Sequence, residues 1–143
     1  MVSGIDEAKW LTDLEFNYLR MEPEDRSEVL ERLKAFLAGV DGVVFAYVHG
    51  GFVESGAFRD TDVAAWVRDP ENAFDYAVSL SAKCGREVEV PVDMHVLNGA
   101  PLPFKHHVFK SGRLLFSKDE ELRLKMLDEA LRQYFDLELL RRG

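Results

Sequence analysis

The sequence is poor in the residues that mark several protein classes. Its 143 residues hold a single cysteine, Cys84. One thiol closes no internal disulfide and founds no Cys-rich zinc site. No run approaches the roughly 20 apolar residues that a membrane span needs. The charged N-terminus lacks the apolar core of a signal peptide. Positive charge is scarce as well: 18 Lys and Arg stand against 26 Asp and Glu, a formal net charge of −8. A sequence-independent grip on nucleic acid rests on basic surface, so nucleic acid is not an expected partner. Repeats, low-complexity tracts and dividing linkers are also missing. What is present is an ordinary apolar fraction of 47%, enough to build a core. At this length the expectation is one cytoplasmic domain over residues 1–143.

The apolar pattern divides that chain into short elements. Trp10, Leu11, Leu14, Tyr18 and Leu19 recur at helical spacing and predict a helical N-terminal extension over residues 1–22. Pro23 suits the first turn of a second helix running to about Leu37, capped by Asp25 with Glu28 or by Ser27. Val29, Leu30, Leu33, Phe36 and Leu37 form its buried stripe. The apolar runs Val43 to His49 and Val63 to Val67 read as strands. Pro70 opens a helix with Phe74, Ala77, Val78 and Ser81 along one face, closed by Gly85. From Glu87 to Leu97 the pattern alternates. Val88, Val90, Val92, Met94 and Val96 take one face, and Glu89, Asp93 and His95 the other. This predicts a long strand in which Pro91 marks a bulge or a sheet edge. Asn98-Gly99-Ala100-Pro101 is a turn. A short helix from Leu102 to Phe109 follows, stopped by Gly112, and Arg113 to Ser117 is a further strand. Ser117 or Asp119 caps a C-terminal helix over residues 119–142, apolar on more than one stripe. Strands alternating with helices predict an α/β (α+β) fold, a small mixed β-sheet flanked by helices.

The chemistry gathers where the first long strand ends. Gly50 and Gly51 break it, and Asp60 and Asp62 follow at spacing i, i+2. Residues two apart on a strand face the same way, so two carboxylates stand side by side beyond a glycine turn. Such a pair suits a divalent ion bound through oxygen, and the turn suits a polyphosphate held by backbone N–H groups. A third acid on a neighbouring strand would complete a cage for two Mg²⁺ ions about 3.5–4 Å apart. Asp93 is the candidate, because an aspartate amid valines is costly unless paired or metal-bound. One ion would hold a nucleotide triphosphate, and the other would lower the pKa of an attacking hydroxyl. Each part has an ordinary reading: an isolated Asp-x-Asp, or a Gly-Gly, is more often only a turn. All three together favour the metal site. His49, at a strand end, could touch phosphate but reads better as a surface histidine; His95 could support Asp93, on whose face it lies, but reads better as an ordinary core or surface histidine. His106 and His107 diverge by about 100° on a helix and make no metal pair. Lys105, Lys110 and Arg113 could form a patch near nucleotide phosphates but read better as charges on a solvated face, and Cys84 as a small packed residue or a surface thiol.

Gly50-Gly51, the Asp60-Thr61-Asp62 triplet before an apolar strand, and Asp93 in a later strand resemble the DNA polymerase beta-type nucleotidyltransferase superfamily. More narrowly they resemble its minimal nucleotidyltransferases of archaea and bacteria. Leu97-Asn98-Gly99-Ala100-Pro101-Leu102, then Val108, Gly112, Leu114, Leu115 and Phe116, are similar to the segment those proteins carry after the third aspartate. The resemblance spans roughly Leu33 to Lys118. It implies the nucleotidyltransferase fold and transfer of a nucleoside monophosphate, AMP from ATP, to a hydroxyl acceptor with release of pyrophosphate. By position it implies that Asp60, Asp62 and Asp93 are catalytic and bind two Mg²⁺ ions. Gly50 and Gly51 would lie against the terminal phosphates. The implied partner is an all-helical ribonuclease toxin, silenced by AMP on one of its tyrosines or by binding. Two positions depart from the family pattern: Gly51 stands where serine is usual, and Glu54 where arginine is common. They motivate a second reading, a protein of this fold that has lost turnover and neutralises a partner through its last helix and acidic surface. A homo-oligomer is left open.

Overall fold

A computed structural model describes residues 19–54, 57, 58 and 61–142. The N-terminal helix expected around Trp10, Leu11, Leu14 and Tyr18 lies outside the described residues. Leu19, placed at the end of that helix by its spacing, is instead in a two-residue strand. This is β1 (Leu19–Arg20), paired antiparallel with β3 (Ala57–Phe58).

α1 (Pro23–Ala38) starts at the proline, which suits a first turn because the missing N–H has no partner there. Glu22 holds the N-cap position, so neither Asp25 nor Ser27 serves as the cap. β2 (Val43–His49) is buried at every residue. It is central in a four-stranded sheet of order β5-β4-β2-β6. β4 (Thr61–Val67) and β6 (Arg113–Ser117) both run antiparallel to it. β5 (Val92–Val96) lies parallel to β4 at the edge, the connection running through α3 (Ala73–Val88). The sheet is therefore mixed, and the fold is α/β.

Alternation along the strands sends side chains to two layers. Val43, Ala46, Val48, Val63, Ala65 and Met94 meet Leu33 and Leu37 of α1 and Leu80, Cys84 and Val88 of α3. On the other face Phe45, Tyr47 and Ala64 pack against α4 (Leu102–Ser111) and α5 (Glu120–Arg142) through Val108, Phe109 and Ala130. α5 is capped by Asp119, whose Oδ1 accepts the Leu122 N–H at 3.0 Å. Arg123 ties the helix to the central strand by donating to the Tyr47 hydroxyl at 2.7 Å.

One expectation is corrected here. The alternation from Glu87 to Leu97 is a strand only from Val92 to Val96. α3 continues past Gly85 to Val88, and Glu89 ends it in the left-handed region at φ 59°. Leu80, Cys84 and Val88 recur every four residues, so extending the helix by one turn buries Val88 on the same stripe. On the same helix Phe74, Ala77, Val78 and Ser81 line one groove, and Phe74 and Val78 are 80% and 55% exposed. The stripe through Leu80 faces the sheet, and theirs does not. Pro91 does precede an edge strand, and its carbonyl accepts the Thr61 N–H at 2.8 Å. Cys84 is fully buried, and burial pushes its thiol up to about 12, so it serves packing. Among the described residues no helix is long and apolar enough to cross a membrane.

Candidate active site

The site forms at one end of the sheet, where three adjacent strands each deliver one feature. β2 ends at His49, and Gly50 turns the chain at φ +77° into the single-turn α2 (Gly51–Glu54). That φ is left-handed and favours glycine. A Cβ on Gly50 would stand 2.6 Å from Oδ2 of Asp62, so the missing side chain also makes room for the carboxylate. Asp62 sits opposite His49 in the antiparallel ladder and opposite Asp93 in the parallel one. Residues in register across neighbouring strands share a face. Asp62 and Asp93 consequently point to the same side of the sheet, the side of Tyr47 and Ala64.

The donor atoms of Asp62, Asp93 and His95 all lie within 4.8 Å of one another. Nε2 of His95 is 3.0 Å from Oδ2 of Asp93, with both side chains about half exposed. Two carboxylates this close, one beside an imidazole, can hold a hard divalent cation through oxygen. Asp60 lies outside the described residues, as does the Glu54 side chain. Among the described residues, then, the structure brings together two of the three expected acids, with Gly50 against one and His95 against the other.

His49 departs from its reading as a surface histidine: it is only 6% exposed. It continues the alternation of Phe45 and Tyr47 and therefore falls on the face that α4 covers, a signal the sequence already carried. Its ring meets Phe104 edge-on at 5.4 Å and lies 6.1 Å from both His95 and His107. Burial, and then the nearby His95 and His107, lower its pKa from 6.5 to about 4 against an opposing pull from Asp93. His49 is thus neutral at pH 7, with Nε2 buried and without a hydrogen-bond partner. His106 stacks on Tyr134 at 3.7 Å, while His107 approaches His49 at 6.1 Å.

The His49 shift has a measurable consequence. Its folded pKa lies below its unfolded value, so as pH falls the unfolded chain takes up the proton first. The associated stability is present above about pH 6.5 and is lost toward pH 4, up to about 3 kcal/mol. Thermal melts of the wild type are expected to fall through that window, and those of His49→Gln to fall less. Parallel curves for the two proteins between pH 7.5 and 4.5 would contradict this.

The family model described as polymerase beta, nucleotidyltransferase matches residues 31–121. No curated protein sequence matches the chain significantly. Among solved structures, a chain of the toxin–antitoxin MntA–HepT superposes with a TM-score of 0.60 at 16% identity, over 85% of this chain and 93% of that one. A chain of the tri-AMPylated Shewanella oneidensis HEPN toxin in complex with MNT antitoxin gives 0.60 at 17% identity, over 85% and 93%. A chain of a toxin–antitoxin with AMP-PNP gives 0.61 at 19%, over 85% and 94%. At these identities the likeness is one of fold.

Proposed function

We propose that this chain, which belongs to the polymerase beta nucleotidyltransferase family, transfers AMP from ATP to a hydroxyl group, with Asp60, Asp62 and Asp93 as its metal-binding and catalytic residues. The observation that carries the reading is the register of β4 against β5. It sets Asp62 opposite Asp93 at the point where Gly50 gives up its Cβ to Asp62. The donor set fits a hard cation: two carboxylates within 4.8 Å would repel one another without a positive charge between them. When bound, Mg²⁺ would supply charge neutralisation on the phosphates and a lowered pKa for the attacking hydroxyl.

The chain's own residues do the rest. Gly50 and Gly51 place backbone, and no side chain, beside the leaving pyrophosphate. Asp62 stands between that turn and Asp93. In this reading Asp93, with His95 at 3.0 Å, takes the proton of the acceptor hydroxyl. A bond forms from that oxygen to the α-phosphorus, the bond from phosphorus to the bridging oxygen breaks, and pyrophosphate leaves with the electron pair. Catalysis is then mostly positioning and charge.

The acceptor in this reading is a tyrosine of a helical ribonuclease toxin, met in the cytoplasm. It is supported by the fold shared with chains solved beside a tri-AMPylated HEPN toxin and with AMP-PNP. A second reading, neutralisation by binding alone, is favoured by one feature of α5. Leu131, Phe135, Leu139 and Leu140 are exposed along it, and the first three line a groove of about 250 Å³ together with His106 and Tyr134. That is more apolar surface than a lone helix needs to show water.

ATP and Mg²⁺ together are expected to raise the melting temperature, since a ligand at 100 times its Kd stabilises by about 2.7 kcal/mol. The small helical protein encoded beside this chain, if there is one, should gain the mass of AMP when mixed with both. No thermal response to any nucleoside triphosphate with Mg²⁺ would refute the transfer reading. A response without mass gain, together with a stable complex, would select the binding reading.

A further inference from the structure

His95 is the member of the donor group that is not an acid, and the transfer reading gives it no ligand role. Strand parity puts it there. It stands two residues beyond Asp93 on β5, so both side chains leave the same face of the edge strand. Across the ladder it pairs with Ala64 of β4, as Asp93 pairs with Asp62. Phe104 of α4 meets its ring at 5.4 Å and 60°, and Nε2 is 3.0 Å from Oδ2 of Asp93. A ring nitrogen of His95 lies within 4.8 Å of a carboxylate oxygen on each of Asp62 and Asp93.

We propose that His95 is a metal ligand, and that with Asp62 and Asp93 it makes a mixed oxygen and nitrogen site that favours a divalent first-row transition ion over Mg²⁺. The inference rests on the transfer reading, which gives the metal to these acids, and adds which ion they hold. The argument is one of donor chemistry. Mg²⁺ is served by oxygen: it keeps several waters and takes one or two carboxylates beside substrate phosphates. An imidazole adds little to such a set. First-row transition ions do accept imidazole nitrogen, and their affinity for such sites rises from Mn²⁺ through Co²⁺ toward Cu²⁺. Three protein ligands with positions left open is also how catalytic metal sites differ from closed structural ones.

The nitrogen is assigned to His95 and not to its neighbours. His49 and His107 stand 6.1 Å apart, ring to ring, and among the described residues neither joins the close group of donors. His95 also belongs to the same strand as Asp93, so the backbone of β5 fixes the spacing of the two side chains.

Mn²⁺ alone, added to the full chain, tests this without turnover. Electron spin echo envelope modulation reads ¹⁴N bound to the ion, and calorimetry gives the affinities of Mn²⁺, Co²⁺ and Mg²⁺. The wild type is expected to show ¹⁴N modulation and to bind Co²⁺ and Mn²⁺ more tightly than Mg²⁺. His95→Gln keeps an amide N–H for Asp93 but offers no ring nitrogen, so it separates ligation from mere support of the carboxylate. The His95 side chain is 42% exposed, so the variant keeps its core. It should lose the modulation and keep its Mg²⁺ affinity. Its Mn²⁺ and Co²⁺ affinities should fall by at least the roughly 10–100-fold that follows loss of a ligand's supporting partner. Modulation that persists in His95→Gln, or a transition-ion preference of the same size as in the wild type, would overturn the proposal. The melt with ATP and Mg²⁺ keeps the two claims apart. If it rises while bound Mn²⁺ shows no ¹⁴N, the ligand assignment alone falls. If no divalent ion binds, with ATP or without, the transfer reading falls as well.

Discussion

Asp62→Asn and Asp93→Asn are each expected to lower AMP transfer by a factor on the order of 10³ or more. Several kcal/mol of charge stabilisation depend on these carboxylates, and each 1.36 kcal/mol is tenfold in rate. Asparagine keeps the shape and removes the charge, so the loss reports electrostatics and not packing. The same substitution separates function from folding. The two carboxylates and His95 lie within 4.8 Å, and like charges that close oppose folding of the protein without metal. Asp62→Asn should therefore still give a cooperative melt in the absence of nucleotide, while abolishing the rise of the melting temperature with ATP and Mg²⁺. Single-turnover transfer from ATP labelled at the α-phosphate, with paired melts, reads both effects. Transfer that survives Asp93→Asn would sink the mechanism.

The other large effect is expected at Gly50. Alanine there meets two penalties: the left-handed backbone at φ +77°, and a Cβ 2.6 Å from Oδ2 of Asp62. Strain of this kind costs about 1–3 kcal/mol. The carboxylate must also move, and a displacement of about 1 Å in a reacting constellation can cost roughly 10²-fold in rate. Gly99 supplies the control. It has φ +71°, but a Cβ there would meet nothing within 4 Å. Gly99→Ala should lose about 1 kcal/mol in urea unfolding and keep its thermal response to ATP and Mg²⁺. Gly50→Ala should lose stability and response together. Matching behaviour of the two variants would show that backbone strain alone sets the phenotype and that Asp62 does not need the space.

The fold was largely legible because its elements carry local signals. Pro23 opens α1, Asp119 caps α5, and the run from Val43 to His49 has the continuous apolar character of a strand buried on both faces. Where two patterns shared residues, the sequence was ambiguous. Val88 fits both the alternation of a strand and the four-residue repeat of Leu80 and Cys84, and the helix takes it because that repeat continues its buried stripe. Phe74 and Val78 belong to a second apolar ridge on the same helix. Periodicity alone does not say which ridge a sheet will cover.

By itself the sequence determined which residues could share a face: parity along one strand is a covalent property, and it couples Asp93 with His95 and His49 with Tyr47. It also determined that a glycine turn precedes an acid-bearing strand. Only the tertiary structure decided that β5 runs parallel beside β4, with Asp93 opposite Asp62, and that α4 closes over His49. Register between strands far apart in the chain, and the burial of a face, depend on how helices pack against the sheet, and no local pattern encodes that sum of contacts.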